Sequence, residues 1–317
     1  MDQPYRTGIY LIYDYHPGDD DHFRRGDDTI KIQPPTFRAS GSRQLDAKQL
    51  ADRLREVGDK AKQAGGKLYV FDLRQETHIF YVLKPYTDLL TNGRAVSWYA
   101  DKDWANVGQS PNWINAEEES ELNRILISPT TQIFTISKGV DDHVTPVSFS
   151  EVTVNKAATE ATVVTEIGTR LSLKTNYYRL PNSDHCPPTD SAVEQLIKMV
   201  FEEKTIDPGN DWVHFHCHGG DGRTTTFLTI WDMIYQKVVN KPAPFPPLDW
   251  FVHRQCELFN YSLTPNEDCK GKKTYDPYWK QALAGFRWRA LLKVREWIAA
   301  APGASIQTNV SETGEKP

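Results

Sequence analysis

The sequence has few cysteines, no long apolar run and no excess of basic charge, and each scarcity narrows what the chain can be. Four cysteines among 317 residues are too few and too dispersed for a disulfide scaffold. No apolar stretch is long enough to span a bilayer, and residues 1–25 lack the apolar core of a secretory signal. A net charge of -5 argues against a generic nucleic-acid or membrane-surface binder. We therefore expect no nucleic-acid partner and no membrane insertion.

The rest of the composition is that of an ordinary globular protein. Hydrophobic residues make up 39% of the chain and charged residues 25%, and the length suffices for one large domain or two modest ones. The compartment stays open. In a bacterium, the chain would fit a secreted, periplasmic or delivered protein whose leader is absent from this sequence.

What the sequence does contain is a glycine-rich loop between an apolar strand, 212–215, and an apolar helix, 224–235. Glycine allows consecutive N–H groups to turn inward and form an anion-binding nest, and the N-terminus of the following helix adds its positive dipole end. The loop residues that we expect to bind an oxyanion in this way are His218, Gly219, Gly220, Asp221 and Gly222. Arg223 can donate to two oxygens of the same phosphate.

Cys217 lies six positions before Arg223, at the start of this loop. A thiolate is favoured near an arginine and a helix N-terminus, and a thiolate that faces a bound phosphate is an activated nucleophile. The alternative is that Cys217 is a small buried hydrophobic residue before an ordinary turn, because cysteine and arginine at this spacing also occur by chance. His216, the three glycines and Thr224 favour the phosphate-binding loop, and so a cysteine phosphatase.

His214 and His216 alternate along the strand, so a metal site there is conceivable. A hydrogen bond from His216 to the loop backbone explains the pattern better, and we predict neither a metal nor a cofactor.

Asp184 is the second candidate catalytic residue. It follows a predicted strand, 176–180, and a loop at that end of a strand is where α/β folds place ligand chemistry. A carboxyl group there could protonate the leaving oxygen and then activate the water that hydrolyses a phosphocysteine. The alternative is a turn or cap before the next helix, although Thr189 already suits the capping position. The place of Asp184, some thirty residues before the phosphate-binding loop, favours catalysis.

The order of the predicted elements indicates an α/β fold, with a central sheet flanked by helices. The predicted helices are 45–64, 117–126, 189–201, 224–235 and 278–300, and the predicted strands include 7–15, 68–71, 176–180 and 212–215. Short segments rich in threonine and valine interrupt this order at 132–137, 144–148, 152–154 and 161–165. They predict a small antiparallel β-subdomain at 131–167, inserted into a catalytic domain of residues 1–130 and 168–302. Residues 303–317 are polar, and we predict that they are disordered.

Several motifs in this order resemble those of the protein-tyrosine-phosphatase-like inositol phosphatases, also called cysteine phytases. The resemblance rests on residues 178–185 and 216–225, with further matches at 38–44, 72–78, 92–99, 104–106 and 254–255. It spans roughly residues 38–280, most of the chain. It implies a phosphatase fold with a small barrel-like insertion. It also implies Cys217 as nucleophile, Arg223 as phosphate clamp, and Asp184 as general acid with His185 assisting at the leaving group.

The resemblance further favours a function for Arg38, Lys273 and Lys280 in binding substrate phosphates beyond the one that is cleaved; otherwise the lysines form a solvated face. The small-molecule substrate that it implies is a myo-inositol polyphosphate such as inositol hexakisphosphate. A phosphoprotein tyrosine phosphatase and a non-catalytic phosphoinositide- or phosphoprotein-binding module remain as alternatives. The sequence departs from the family at His218 and Asp221, which are more highly charged than the residues the family often has there, and in about eleven extra residues at 81–91.

Overall fold

The computed structural model of the chain describes residues 9–15, 18–28, 36–139, 142–274 and 277–301. Within these residues the strands are β1 Tyr10–Tyr13, β2 Arg24–Arg25, β3 Ala39–Arg43, β4 Leu68–Arg74, β5 His78–Leu83, β6 Gly93–Tyr99, β7 Thr130–Lys138, β8 Val144–Ala158, β9 Thr175–Asn182 and β10 Trp212–Cys217. The helices are α1 Ala47–Gln63, α2 Leu89–Asn92, α3 Pro111–Ile127, α4 Glu160–Leu171, α5 Asp190–Phe201, α6 Gly222–Tyr235, α7 Leu248–Phe259 and α8 Tyr278–Ala300. A 3-10 turn, Asp101–Asp103, follows β6.

The main sheet has the strand order β2-β3-β10-β4-β9, and β3, β10, β4 and β9 run parallel. Successive residues of a strand face opposite sides, so Phe71 and Phe215 pack with α5, α6, α7 and α8, whereas Val70 and Trp212 pack with α1 and α4. Because parallel strands end at the same edge, Cys217 lies beside the C-terminal ends of β3, β4 and β9. The fold therefore gathers polar residues at this edge, where such sheets bind ligands.

The second sheet is antiparallel and has the strand order β1-β6-β5-β8-β7. It curls until its two edges meet, and the ring centroids of Tyr10 on β1 and Phe134 on β7 lie 5.5 Å apart. The predicted α/β class with a barrel-like antiparallel part is therefore confirmed. The β7–β8 hairpin does not form a sheet by itself, because it extends the sheet that β1, β5 and β6 provide. The division of the chain into domains stays a prediction.

The predicted strand at 161–165 is wrong, because these residues lie in helix α4. Thr159 caps that helix by accepting a hydrogen bond from the backbone N–H of Thr162, and Val163, Val164 and Ile167 bury one face. Threonine and valine favour strands only where no cap and no helical spacing compete. The strands predicted at 144–148 and 152–154 are one continuous strand, β8. The predicted disordered tail lies outside the described residues.

Two further features bear on the site. Cys256 of α7 forms a disulfide with Cys269, which ties the end of that helix to the segment before α8. None of the described helices combines the length and the apolarity that crossing a membrane requires.

Candidate active site

The loop that follows β10 surrounds the sulfur of Cys217 with donors. The backbone N–H of Gly220 and the hydroxyl of Thr224 each donate to Cys217 Sγ, at 3.2 Å. Gly220 has a φ of 78°, and a Cβ on it would lie 2.5 Å from the backbone nitrogen of Arg43. The loop therefore requires glycine at this position, both for its backbone conformation and for its close approach to β3. The sulfur of Cys217 is thus held in the loop as the acceptor of two hydrogen bonds.

Arg223 begins the helix behind the loop and is almost fully buried among carboxylates. Its Nη1 donates to both oxygens of Glu76, at 2.6 and 2.8 Å, and its Nη2 donates to Asp103 Oδ2 at 3.1 Å. Its Nε lies 3.2 Å from Asp184 Oδ1. Burial opposes the charge of Arg223, but Glu76 and Asp184 hold its pKa well above the usual value. The guanidinium is thus permanently charged and fixed in orientation.

Asp184 and His185 follow β9 and reach the same place. Trp104 Nε1 donates to the backbone oxygen of Asp184 at 2.8 Å, and Arg287 donates to that of His185 at 2.6 Å. These bonds hold the loop while the Asp184 carboxylate stays 24% exposed, with Oδ2 at 3.2 Å from His185 Nε2. Burial lowers the pKa of His185, although Asp184 partly offsets that effect. The structure therefore brings together Cys217, Arg223, Thr224, Asp184 and His185, and their catalytic roles stay a prediction.

A pocket of about 430 Å³ opens above this group. Asp184, His185 and Cys217 form its floor, and the segment 260–274 with the first turns of α8 forms its wall. The disulfide closes this wall at Cys269. Carboxylates outnumber cations around the cavity. Away from the floor, the carboxylates are Asp221, Glu267 and Asp268, and the cations are Lys280 and Arg287.

The three predicted substrate-binding residues have different positions. Lys280 lines the pocket, and its Nζ lies 2.8 Å from Asp142 Oδ2. Lys273 is exposed on the segment 260–274 and pairs by a backbone bridge with Glu267, and it is outside the set of described residues that line the pocket. Both roles stay predictions.

Arg38 lies at the end of β3 away from Cys217, and its role in binding substrate stays a prediction. Arg38 precedes β3, and its backbone oxygen accepts from Trp231 Nε1 at 3.1 Å, at the N-terminal edge of the parallel sheet. Strands rise about 3.3 Å per residue, so the four steps from Val213 to Cys217 separate that edge from the nucleophile by roughly 13 Å. The motif resemblance could not show at which end of β3 Arg38 lies. The basic residue at the catalytic end of β3 is Arg43, whose Nη1 lies 3.1 Å from Asp19 Oδ2.

The two loop residues that depart from the family pattern both have partners. Asp221 faces His22, with 3.1 Å between its Oδ1 and His22 Nδ1, and the same nitrogen lies 2.8 Å from the backbone oxygen of Gly219. Burial raises the pKa of Asp221, and His22 lowers it in part. His218 Nδ1 lies 3.1 Å from Asp103 Oδ2.

Sequence reasoning missed the segment 18–28, which packs under the loop. Arg24 is buried there, and its Nη2 donates to the hydroxyl of Thr225 at 2.8 Å, while its guanidinium lies 3.9 Å from the ring centre of Phe259. Burial lowers the pKa of Arg24 to about 10, although Cys217 and Asp221 act to raise it. The sequence signal was weak, because an acidic stretch around a basic pair is usual for a surface turn.

A buried ionic cluster lies behind His216. Its Nε2 is 3.1 Å from Glu160 Oε1, and Asp72, Glu160 and His216 lie close enough to offer three ligands to a metal ion. Arg179 Nε donates to Asp72 at 2.7 Å, and His78 Nε2 lies 3.0 Å from Glu160, so cationic groups already neutralise these carboxylates. The expected absence of a metal stays a prediction.

The other histidine of this strand, His214, contacts two serine side chains. Its Nδ1 lies 2.9 Å from Ser40 Oγ, and its Nε2 lies 3.3 Å from Ser42 Oγ. Burial, reinforced by His216, lowers the pKa of His214 to about 3, so this imidazole is neutral in the folded protein.

Comparisons with known proteins agree with this geometry. A sequence model of the protein-tyrosine-phosphatase-like phytases, described as inositol hexakisphosphate, matches residues 71–235. Effector protein hopD2 of Pseudomonas syringae pv. tomato is 27% identical over 208 residues, which are 65% of this chain and 38% of that protein.

Two solved structures share the fold. The PTP-like myo-inositol phosphatase of Mitsuokella multacida, in complex with myo-inositol-(1,3,4,5)-tetrakisphosphate, is 25% identical, with a TM-score of 0.70 over 94% of this chain and 46% of that one. A PTP-like phytase of Bdellovibrio bacteriovorus is 27% identical, with a TM-score of 0.63 over 95% and 94%. This chain spans less than half the length of the Pseudomonas and Mitsuokella proteins.

Proposed function

This chain belongs to the protein-tyrosine-phosphatase-like phytase family, and on that basis we propose that it removes phosphates from myo-inositol polyphosphates, inositol hexakisphosphate among them. Two comparisons support the substrate class: the ligand named by the family model and the tetrakisphosphate bound to the Mitsuokella protein. The proposed reaction has two steps and uses a phosphocysteine.

In the first step the Cys217 thiolate attacks phosphorus, and the bond from phosphorus to the inositol oxygen breaks. Asp184 gives its proton to that oxygen, so the leaving group departs as a neutral alcohol. The inward N–H groups of the loop and the Arg223 guanidinium bind the three equatorial oxygens, where charge develops.

In the second step a water molecule attacks the phosphocysteine. The Asp184 carboxylate takes a proton from the water, the sulfur–phosphorus bond breaks, and inorganic phosphate and the thiolate are released. Asp184 then holds the proton that the next first step needs, so the cycle closes.

One observation carries this proposal: the sulfur that accepts two hydrogen bonds from the loop and the partly exposed carboxylate of Asp184 border one pocket, and the fixed guanidinium of Arg223 lies 3.2 Å from that carboxylate. A nucleophile, an anion clamp and a proton donor at a single concave site are the parts that phosphoryl transfer through a covalent intermediate needs.

The test measures phosphate release from inositol hexakisphosphate and from a phosphotyrosine peptide, with a metal chelator present. The wild-type chain and Cys186→Ser, which changes the other described free cysteine, should both release phosphate from the inositol substrate. Cys217→Ser should release none, yet should still bind the substrate, because the loop N–H groups and Arg223 remain. Turnover by Cys217→Ser within about tenfold of wild type would remove Cys217 as the nucleophile.

A second candidate, hydrolysis of phosphotyrosine in a protein, is favoured by the carboxylates that line the pocket away from its floor. Asp221, Glu267 and Asp268 would repel the remaining phosphates of a highly phosphorylated inositol, whereas a phosphopeptide brings one phosphate. A rate on the peptide that exceeds the rate on every inositol phosphate tested would select this candidate.

A further inference from the structure

His218, the residue directly after the nucleophile, has a carboxylate oxygen near each of its ring nitrogens. Nδ1 lies 3.1 Å from Asp103 Oδ2, and Nε2 lies 3.5 Å from Asp14 Oδ1. The side chain is 15% exposed, whereas both carboxylates are essentially buried. The ring packs against Tyr99, with centroids 5.2 Å apart. A neutral imidazole carries one N–H, so its second nitrogen would face a carboxylate oxygen with a lone pair. Only the imidazolium can satisfy both partners.

The charges around His218 support the same state. His218 contacts Asp14, after β1, and Asp103, after β6, and these carboxylates pair with Arg74 and Arg223, which share Glu76. Among these buried groups three carboxylates oppose two guanidinium groups, so a protonated His218 balances them; the further carboxylate beside Arg223, that of Asp184, is partly exposed to solvent. A buried cluster with a net charge is costly, so the folded protein favours this balance.

The cluster could instead take up its balancing proton on Glu76. Burial raises the pKa of Glu76 to about 8; Arg223 lowers it and Asp103 raises it again. Both oxygens of Glu76, however, accept short hydrogen bonds from Arg223 Nη1, the geometry of an ionised carboxylate that faces a guanidinium. Burial opposes the charge of Asp14, but Arg74 and His218 hold its pKa low. Burial also opposes the charge of Asp103, but His218 and Arg223 hold its pKa low. The contacts therefore place the proton on His218.

One atom links His218 to the phosphate clamp. Asp103 Oδ2 lies 3.1 Å from His218 Nδ1 and also accepts from Arg223 Nη2 at 3.1 Å. The other oxygen of Asp103 is buried and has no hydrogen-bond partner among the described residues. The backbone holds Asp103 in this place at a φ of 60°, a conformation that costs a non-glycine residue energy.

We propose that His218 is a positioning residue of the phosphatase site: as an imidazolium it shares Asp103 with Arg223, and so leaves the guanidinium available to the substrate phosphate. This role rests on the proposed function of the loop. When His218 is neutral, Asp103 loses one of its two hydrogen-bonded cations and holds Arg223 more strongly, and the buried cluster gains a net negative charge. Both effects weaken the binding of a phosphate at Cys217.

The first measurement is the binding of inorganic phosphate to the full chain by calorimetry, across the range of pH in which histidine ordinarily titrates, about 5 to 8. His218→Asn should bind phosphate about tenfold more weakly than wild type at the acidic end. His218→Lys keeps a cation at this position and should keep binding at the alkaline end, where wild type loses it. The matched control is His143→Asn, which breaks the exposed pair that His143 forms with Asp101. Asp101 belongs to the same turn as Asp103, and this variant should bind phosphate like wild type.

The second measurement is a histidine nitrogen NMR titration of the wild-type chain, with the His218 signal assigned from the His218→Asn spectrum. Both ring nitrogens of His218 should carry protons at pH 6, and addition of phosphate should extend that state to higher pH. A neutral ring at pH 6, or equal phosphate binding by wild type and His218→Asn, would overturn the proposal. If His218→Asn fails to fold, the His218 signal is assigned from the spectrum of His218→Lys, and the wild-type titration then decides between the two outcomes. These readouts do not require turnover, so an inactive chain that still shows the coupling would contradict the proposed function and leave this inference standing.

Discussion

Replacing Gly220 by alanine tests whether the shape of the loop is what makes Cys217 reactive. Gly220 has a φ of 78°, and an added Cβ would lie 2.5 Å from Arg43 N and 2.9 Å from Arg43 Cα, which are backbone atoms of a buried strand. The left-handed conformation costs alanine roughly 1–2 kcal/mol. Overpacking against β3 adds about 1–3 kcal/mol. Gly220→Ala should therefore lower the free energy of unfolding by about 2–5 kcal/mol, unless the loop moves and relieves the strain.

Movement of the loop would have its own cost, because the N–H of Gly220 donates to Cys217 Sγ. Losing one aligned donor at an oxyanion site lowers kcat by about 10²–10³. Gly220→Ala should thus lose either stability, measured by urea unfolding, or turnover of an aryl phosphate. Gly219→Ala is the matched control for stability, since its Cβ would meet only Asp221 Oδ2, at 3.8 Å. If Gly220→Ala keeps both properties, or if Gly219→Ala loses as much stability, the strained loop is not what the site depends on.

The remaining predictions concern the clamp, the acid, the pocket lysines and a buried histidine. Arg223→Lys should lose turnover, measured with an aryl phosphate, because an ammonium cannot donate to two phosphate oxygens in one plane; activity near wild type would contradict the clamp role. Asp184→Asn should lower the rate about 10²–10⁴ on inositol phosphates and much less on an aryl phosphate, whose leaving group hardly needs a proton, and an equal loss would contradict the assignment. Lys280→Ala should raise KM for inositol hexakisphosphate and spare the aryl phosphate, with Lys273→Ala as the control outside the pocket; equal effects of the two variants would mean a solvated lysine face. Burial lowers the pKa of His214 to about 3, whereas the pKa of an unfolded histidine is about 6.5. Between these two values the unfolded chain binds a proton that the folded chain does not, so the free energy of unfolding should fall as the pH drops from about 6.5 to about 3. His214→Asn should make the free energy of unfolding, measured with urea, depend less on pH in this range.

The chemistry of the site was predictable where it depends on neighbours in sequence. Cys217, the glycines and Arg223 lie within one strand–loop–helix unit, so their spacing alone places them around one anion. Thr189 was predicted as a cap for the same reason, and it accepts the N–H of Ala192 in the structure. Local rules of this kind need no knowledge of how the sheets pack.

What could not be predicted depends on distant parts of the chain. Asp14 and Asp103 meet His218 only because the antiparallel sheet curls against the edge of the parallel one. Asp14 and Asp103 have no sequence signal that separates them from surface acids. The position of Arg38 was unpredictable for a related reason, since a motif match does not say which end of the sheet a residue occupies.

The disulfide in the pocket wall affects how the protein is handled at the bench. Thiol enzymes are customarily kept in dithiol buffers to prevent oxidation of the nucleophile, and the same reagent exchanges with disulfides. Here it would detach Cys269 from α7 and free the segment that borders the substrate cavity. Activity with and without reductant would then differ for two opposite reasons, a protected Cys217 and a loosened wall. A Cys256→Ala, Cys269→Ala double variant compared in both buffers separates the two, because its wall is already open and only the nucleophile responds.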